Sequence, residues 1–168
     1  MEGIKDMAFC SEIVLQIKIA RRANERLEVC KNNFDNIELW CSIQTILVAS
    51  ANISKILNPS EKKYIERGER LRNMLNVQSD FKILERKFRN SFFEHYDSRI
   101  DDWYEKNSNG KYIDLAINPS LNGRNLNTHR GYNSFNNTIE FRGDIFKIDT
   151  ILKEMDIIYE KCNFFTLT

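Results

Sequence analysis

A mainly α-helical fold is predicted for this chain: a bundle of four to five helices with a small β-hairpin inserted before the last one. Three observations carry the prediction. Apolar residues recur at three- and four-residue intervals through the first two-thirds of the sequence, which is the spacing of one helix face. Stop and start pairs, Asn58-Pro59 before Ser60 and then Ser79-Asp80, divide that region. Residues 107–137 are crowded with Asn, Ser and Gly, a composition that suits turns. At 168 residues there is room for one domain with a real core, so residues 1–168 read as a single helical domain.

The first helix, about 5–31, sets Ile13, Ile17, Ala20, Leu27 and Cys30 on one side and leaves Arg21, Arg22, Glu25 and Arg26 to solvent. Asn32-Asn33 and Asp35-Asn36 punctuate it. The second, 36–57, carries Trp40, Ile43, Ile46, Leu47, Ala51 and Ile53 with few charges, which makes it the most buried element. Asn58-Pro59 stops it, because a residue before proline avoids the αR region. Ser60 is expected to cap the third, 60–76, with Glu61 in its first turn and Tyr64, Leu71 and Leu75 on one side. The fourth, 80–106, follows Ser79-Asp80, is dense in charge pairs and aromatics, and ends at Asn107-Ser108-Asn109-Gly110.

A long surface loop comes next, interrupted by a short strand from Tyr112 to Ile117. Thr138 to Ile148 alternates around Arg142-Gly143-Asp144, the pattern of a β-hairpin. Asp149 is expected to cap the last helix, 149–164.

The charge balance, 25 Lys and Arg against 24 Asp and Glu, excludes the chain-wide basic surface of a non-specific nucleic-acid binder. Any RNA contact must come from a local site or from charge gathered across an oligomer interface. The four cysteines, Cys10, Cys30, Cys41 and Cys162, form no CxxC or Cys/His ligand pair, so no structural zinc is expected. Asp97, Asp101 and Asp102 lie on mixed helix faces and read as solvated charge rather than metal ligands. Glu2, Asp6 and Glu12 argue against a signal or transit peptide, and reduced cysteines favour the cytoplasm. The most apolar run, Ile43 to Ile56, is broken by Gln44, Ser50, Asn52 and Lys55, so it suits a buried helix better than a membrane span. No glycine-rich phosphate loop, HExxH, GxSxG or heptad seam is present, and no cofactor is expected.

Chemistry is most concentrated in Arg89-Asn90-Ser91-Phe92-Phe93-Glu94-His95, which holds one of the two histidines. A permanent cation beside a group titrating near pH ~6.5 suits cleavage at a phosphate. The cation stabilises developing charge and the imidazole moves the proton. At the helical spacing per residue, Arg89 and His95 are offset by roughly 120° around the axis. A single straight helix therefore aligns them poorly, and a second copy from another chain would make their meeting easier. Glu85 stands four residues before Arg89, and Arg99 four after His95, so a laced, solvated face is the competing reading. Phe92, Phe93, Tyr96 and Trp103 read first as core or as a subunit contact. A second cluster, Arg124-Asn125-Leu126-Asn127-Thr128-His129 with Arg130, lies in the Asn-rich loop. It reads as flexible polar loop, and Arg124, His129 and Arg130, with Arg99, are the candidates for substrate contact.

Arg89 followed directly by Asn90, with His95 after five intervening positions, resembles the signature of the HEPN superfamily. The helical pattern around it, including Leu71-Arg72, Leu75 and the run from His95 to Asp101, is similar to HEPN-like bacterial proteins. The resemblance implies a metal-independent endoribonuclease of the toxin–antitoxin, phage-defence or CRISPR-linked kind. It implies a homodimer whose two motifs face each other, with RNA as substrate and an antitoxin or defence-system partner. His95 would be the acid/base, Arg89 would hold the scissile phosphate, and Asn90 would orient one or the other. Glu94, Asp97, Asp101 and Asp102 depart from what a phosphate site wants unless Arg99 or Lys106 neutralises them. The alternative is a non-catalytic HEPN-like interaction module that uses the same region to dock a partner.

Overall fold

The structure, a computed structural model, describes residues 2–33, 35–85, 96–107, 112–119, 128–141 and 144–166. Five α-helices lie among them: α1 (Glu2–Asn33), α2 (Asn36–Leu57), α3 (Ile65–Met74), α4 (Tyr96–Lys106) and α5 (Ile148–Cys162). Four short strands form one sheet: β1 (Ala116–Ile117), β2 (Arg130–Asn133), β3 (Thr138–Phe141) and β4 (Asp144–Lys147). The fold is mainly helical with a small sheet before the last helix, as the sequence predicts. Contacts group the chain into two units, residues 1–89 with 151–168, and residues 90–150. No described helix is long and apolar enough to cross a membrane.

In the first unit, Asp6, Cys10, Ile13, Ile17, Ala20, Ala23, Leu27 and Cys30 form a buried stripe down α1 at three- and four-residue intervals. α2 packs against α1. Its start is set by Asp35, whose carboxylate accepts the Glu38 N–H at 3.0 Å. Buried residues of α2 point to more than one side, Leu39, Ile43, Ile46, Ile53 and Leu57 with Ser42, Ser50 and Ser54 between them.

The end of α2 shows how α3 is held. Arg67 donates to the carbonyls of Lys55 and Ile56 at 3.3 and 3.4 Å, and Arg72 donates to that of Leu57. These are carbonyls a helix end leaves without intrahelical donors, so two cations cap α2 from α3. Arg70 grips Asp6 with two bonds of 2.9 Å and ties α3 to α1. α3 itself begins later than Ser60: a 3₁₀ turn, Lys62–Tyr64, precedes Ile65, with no side-chain cap at Glu61 or Tyr64.

The predicted helix from residue 80 does not start there. Phe81 and Glu85 are extended, with ψ of 129° and 126°, around one 3₁₀ turn, Lys82–Leu84. The cause is remote in sequence. Glu154 of α5 accepts the Lys82 and Ile83 N–H groups at 2.9 and 3.0 Å, while Ile83 and Leu84 are buried beside it. The far end of the prediction holds, because α4 stops at Lys106. α5 buries Ile151, Met155, Ile158 and Cys162, and Asp156 pairs with Arg21 of α1 at 2.8 Å.

In the second unit the strand order is β1-β2-β3-β4, with β1 parallel to β2 and the remaining pairs antiparallel. The predicted hairpin is β3–β4, in register from Thr138↔Lys147 to Phe141↔Asp144. β2 is a strand where the sequence suggested loop. Tyr132 in it is fully buried, and Asn137, at φ 52°, closes the turn back to β3. Tyr132 Oη donates to Asn137 Oδ1 at 2.9 Å, the Asn137 amide donates to Asp149, and the Ile148 N–H donates to the Asn137 carbonyl. Asp149 thus receives a side-chain amide inside the first turn of α5 rather than capping it. The predicted strand from Tyr112 shrinks to β1 plus a bridge, Ile113↔Thr128, because Leu115 turns left-handed at φ 54°.

Candidate functional site

Arg89, Asn90 and His95 lie outside the described residues, as does Arg124. In sequence, the described residues flank the motif: Glu85 follows the 3₁₀ turn Lys82–Leu84 on one side, and α4 begins at Tyr96 on the other. Arg99 stands half-buried on α4, one turn before the buried Trp103.

His129 and Arg130 are brought together in the second unit, in a cluster that the sequence did not assemble. Arg130 faces Asp114 with both arms of its guanidinium, Nε at 2.9 Å from Oδ1 and Nη2 on Oδ2. Tyr112 Oη sits 3.4 Å from the same carboxylate. Tyr112 and Asp114 are two residues apart and so share one side of extended chain, the one signal that could have paired them in advance. Tyr112 stacks on Tyr104 of α4 with centroids 5.4 Å apart and meets Trp103 edge-on at 4.9 Å. The His129 ring, only 1 % exposed, packs between Tyr112 and Phe141 at 5.6 and 5.0 Å.

The electrostatics follow from that enclosure. Burial alone pushes the Asp114 carboxyl up, but the hydrogen bonds and charge of Arg130, with the Leu115 N–H, hold it below the usual carboxylate range. Burial pushes the Tyr112 hydroxyl up, and the Asp114 charge adds to the effect. Arg130 therefore presents a charge already neutralised by a carboxylate, and a phosphate would have to displace Asp114 to reach it. His129 offers its ring to aromatic neighbours. In this arrangement the pair braces the sheet against α4, and the half-exposed Tyr104 is the cluster's outer surface. Asp114→Asn is expected to lower stability by about 1–3 kcal/mol, because it weakens a partly buried charged hydrogen bond. Denaturant unfolding measures it. The loss should shrink as pH falls through the depressed carboxyl value, where wild-type Asp114 protonates as well.

The first unit holds a shallow groove of about 430 Å³ on the α1–α2 face, lined by Gln16, Ile19, Cys41, Gln44, Thr45, Val48 and Ala49, none of them charged. Among the described residues, no group of three His, Cys, Asp or Glu side chains is placed to hold a metal ion.

Fold and clusters together define a mainly helical protein with a small mixed sheet. No family model, curated protein or solved structure matches the chain.

Proposed function

We propose that this protein is a metal-independent endoribonuclease of the HEPN type, acting as a homodimer in a toxin–antitoxin or phage-defence role in the cytoplasm. The observation that supports it is the Arg89-Asn90…His95 motif, set in a mainly helical chain between an anchored turn and the start of α4. RNA supplies its own nucleophile, the ribose 2′-OH, so a proton shuttle and a cation suffice for chemistry. His95 moves the proton between the 2′-OH and the leaving oxygen. Arg89 stabilises charge on the phosphate, and Asn90 orients it. Substrate contacts beyond the motif fall to Arg99 and Arg124, with His129 and Arg130 bracing the surface beside Tyr104.

The test is cleavage of single-stranded and structured RNA by the pure protein in the presence of EDTA. His95→Ala should lose at least about 10²-fold in rate, the scale of general acid–base catalysis, with its circular dichroism and melting unchanged. Arg89→Ala should lose about as much. A folded His95→Ala protein with undiminished cleavage overturns the reading.

The uncharged α1–α2 groove favours a second reading, a non-catalytic module that associates through this face with another copy of itself. An isologous contact sets like against like, which an uncharged lining permits without repulsion between its own side chains. A pure protein without nuclease activity, dimeric in solution and made monomeric by Val48→Glu, would favour that reading.

A further inference from the structure

Cys10 and Cys162 lie near opposite ends of the sequence, yet their side chains come within hydrogen-bond reach of each other. Cys10 sits on the buried stripe of α1, and Cys162 is the last residue of α5. Neither has any exposed surface. The 3₁₀ turn that follows Cys162, Asn163–Phe165, packs on α1, the helix that carries Cys10. From this juxtaposition we propose that Cys10 and Cys162 form a reversible disulfide when a hydroperoxide oxidises the protein, locking the end of α5 onto α1.

A hydrogen bond between the two thiols holds Cys10 below its ordinary value, against its burial and the nearby Asp6. The same hydrogen bond, with burial, pushes Cys162 up. Either thiol of the pair can attack first; with Cys10 attacking, Cys162 is the resolving thiol. The Cys10 thiolate attacks one peroxide oxygen, the O–O bond breaks, and with a proton the second oxygen leaves as water. Cys10 is then a sulfenic acid. Cys162 attacks that sulfur, forms the S–S bond and expels the hydroxyl, which leaves as water with the Cys162 proton. Two thiols and one hydrogen peroxide thus become one disulfide and two waters.

Access comes from the end of α5. Cys162 terminates the helix, one 3₁₀ turn follows, and Phe164 within it is 86 % exposed. Helix ends open locally at small free-energy cost, and a peroxide molecule is small enough to use such openings. A disulfide also needs Cα atoms within about 7 Å, a separation that thiols in hydrogen-bond contact can reach by side-chain rotation and a small backbone shift.

The experiment uses the reduced full-length protein, treated with hydrogen peroxide at a dose that visibly oxidises the exposed Cys41, then blocked with N-ethylmaleimide and digested without reductant. Mass spectrometry should find a peptide linking Cys10 to Cys162, lighter by two hydrogens and split by dithiothreitol. The melting temperature should rise by about 5–10 °C on oxidation and fall back on reduction. Cys41→Ala should keep both effects, and Cys162→Ala and Cys162→Val should lose both. Oxidation of Cys41 without any Cys10–Cys162 link overturns the proposal, as does a dominant link through Cys30 or Cys41. Because the linkage is read on the wild-type chain, a Cys162 variant that fails to fold does not blunt the test.

Discussion

Gly68→Ala is expected to destabilise the protein by about 2–4 kcal/mol, although alanine is the better helix former. Gly68 lies inside α3, where glycine ordinarily weakens a helix by roughly 1 kcal/mol relative to alanine. Its surroundings reverse that preference. A Cβ there would stand 2.5 Å from Cδ of Pro59 and 2.8 Å from the Leu57 carbonyl oxygen. One neighbour is a rigid ring and the other is backbone, so neither can swing aside. Relief would have to come from α3 backing away from the end of α2. That movement stretches the bonds from Arg67 and Arg72 to the carbonyls of residues 55–57 and loosens the Arg70–Asp6 pair. Steric overlap thus draws in the whole capping arrangement. Gly3→Ala is the matched control: it also lies in a helix, but nothing stands within 4 Å of an added Cβ. That change should leave stability the same or raise it slightly. Urea midpoints for the two variants measure the difference, and a Gly68→Ala protein as stable as wild type would show that α3 is not pinned here.

What the sequence revealed of this fold, and what it hid, divides by the range of the interaction. The bounds of α2 were legible because both signals are local: Asp35 caps one end, and Asn58-Pro59 terminates the other. The β3–β4 hairpin was legible from alternation across a short turn. The break at residues 81–85 was not, because the group that satisfies the Lys82 and Ile83 N–H donors is on α5. β2 was hidden by its composition, Arg-Gly-Tyr-Asn, whose one strong strand former, Tyr132, depends on Asn137 and Asp149 for its setting. The same division governs the candidate residues. The Arg89…His95 motif was visible as a local spacing, but the Arg130–Asp114 pair and the Cys10–Cys162 contact cross long stretches of chain. Charge sign alone made Arg130 look available for a phosphate, and only the fold supplies its carboxylate.

Glu154→Ala carries the second large expected effect, a loss of about 2–4 kcal/mol. The carboxylate accepts two backbone N–H groups, and Ile83, whose N–H is one of them, is fully buried. Alanine leaves that donor without a protein acceptor in a place water does not reach, while the Lys82 N–H has solvent nearby. Glu154→Gln should fall between alanine and wild type. Its carbonyl oxygen replaces one acceptor, but its amide NH₂ faces the second N–H, donor against donor. The pH dependence separates this carboxyl from the other buried one in the same unit. Burial pushes Glu154 above its ordinary value of 4.5, against the pull of the two N–H groups and Lys82. The folded state then holds a proton more tightly than the unfolded chain does. Its contribution is fully present below pH 4.5 and is lost as pH rises through the folded value. Asp6 runs the other way: the Arg70 hydrogen bond holds it below 3.8, so its contribution is present above that value and lost as pH falls through the folded one. Subtracting the Glu154→Gln stability profile from wild type should therefore give a difference that grows as pH is lowered toward 4.5. The same subtraction with Asp6→Asn should give one that shrinks at the acid end. Equal slopes for the two would mean that Glu154 is not the desolvated clamp on the turn that leads into the Arg89…His95 segment.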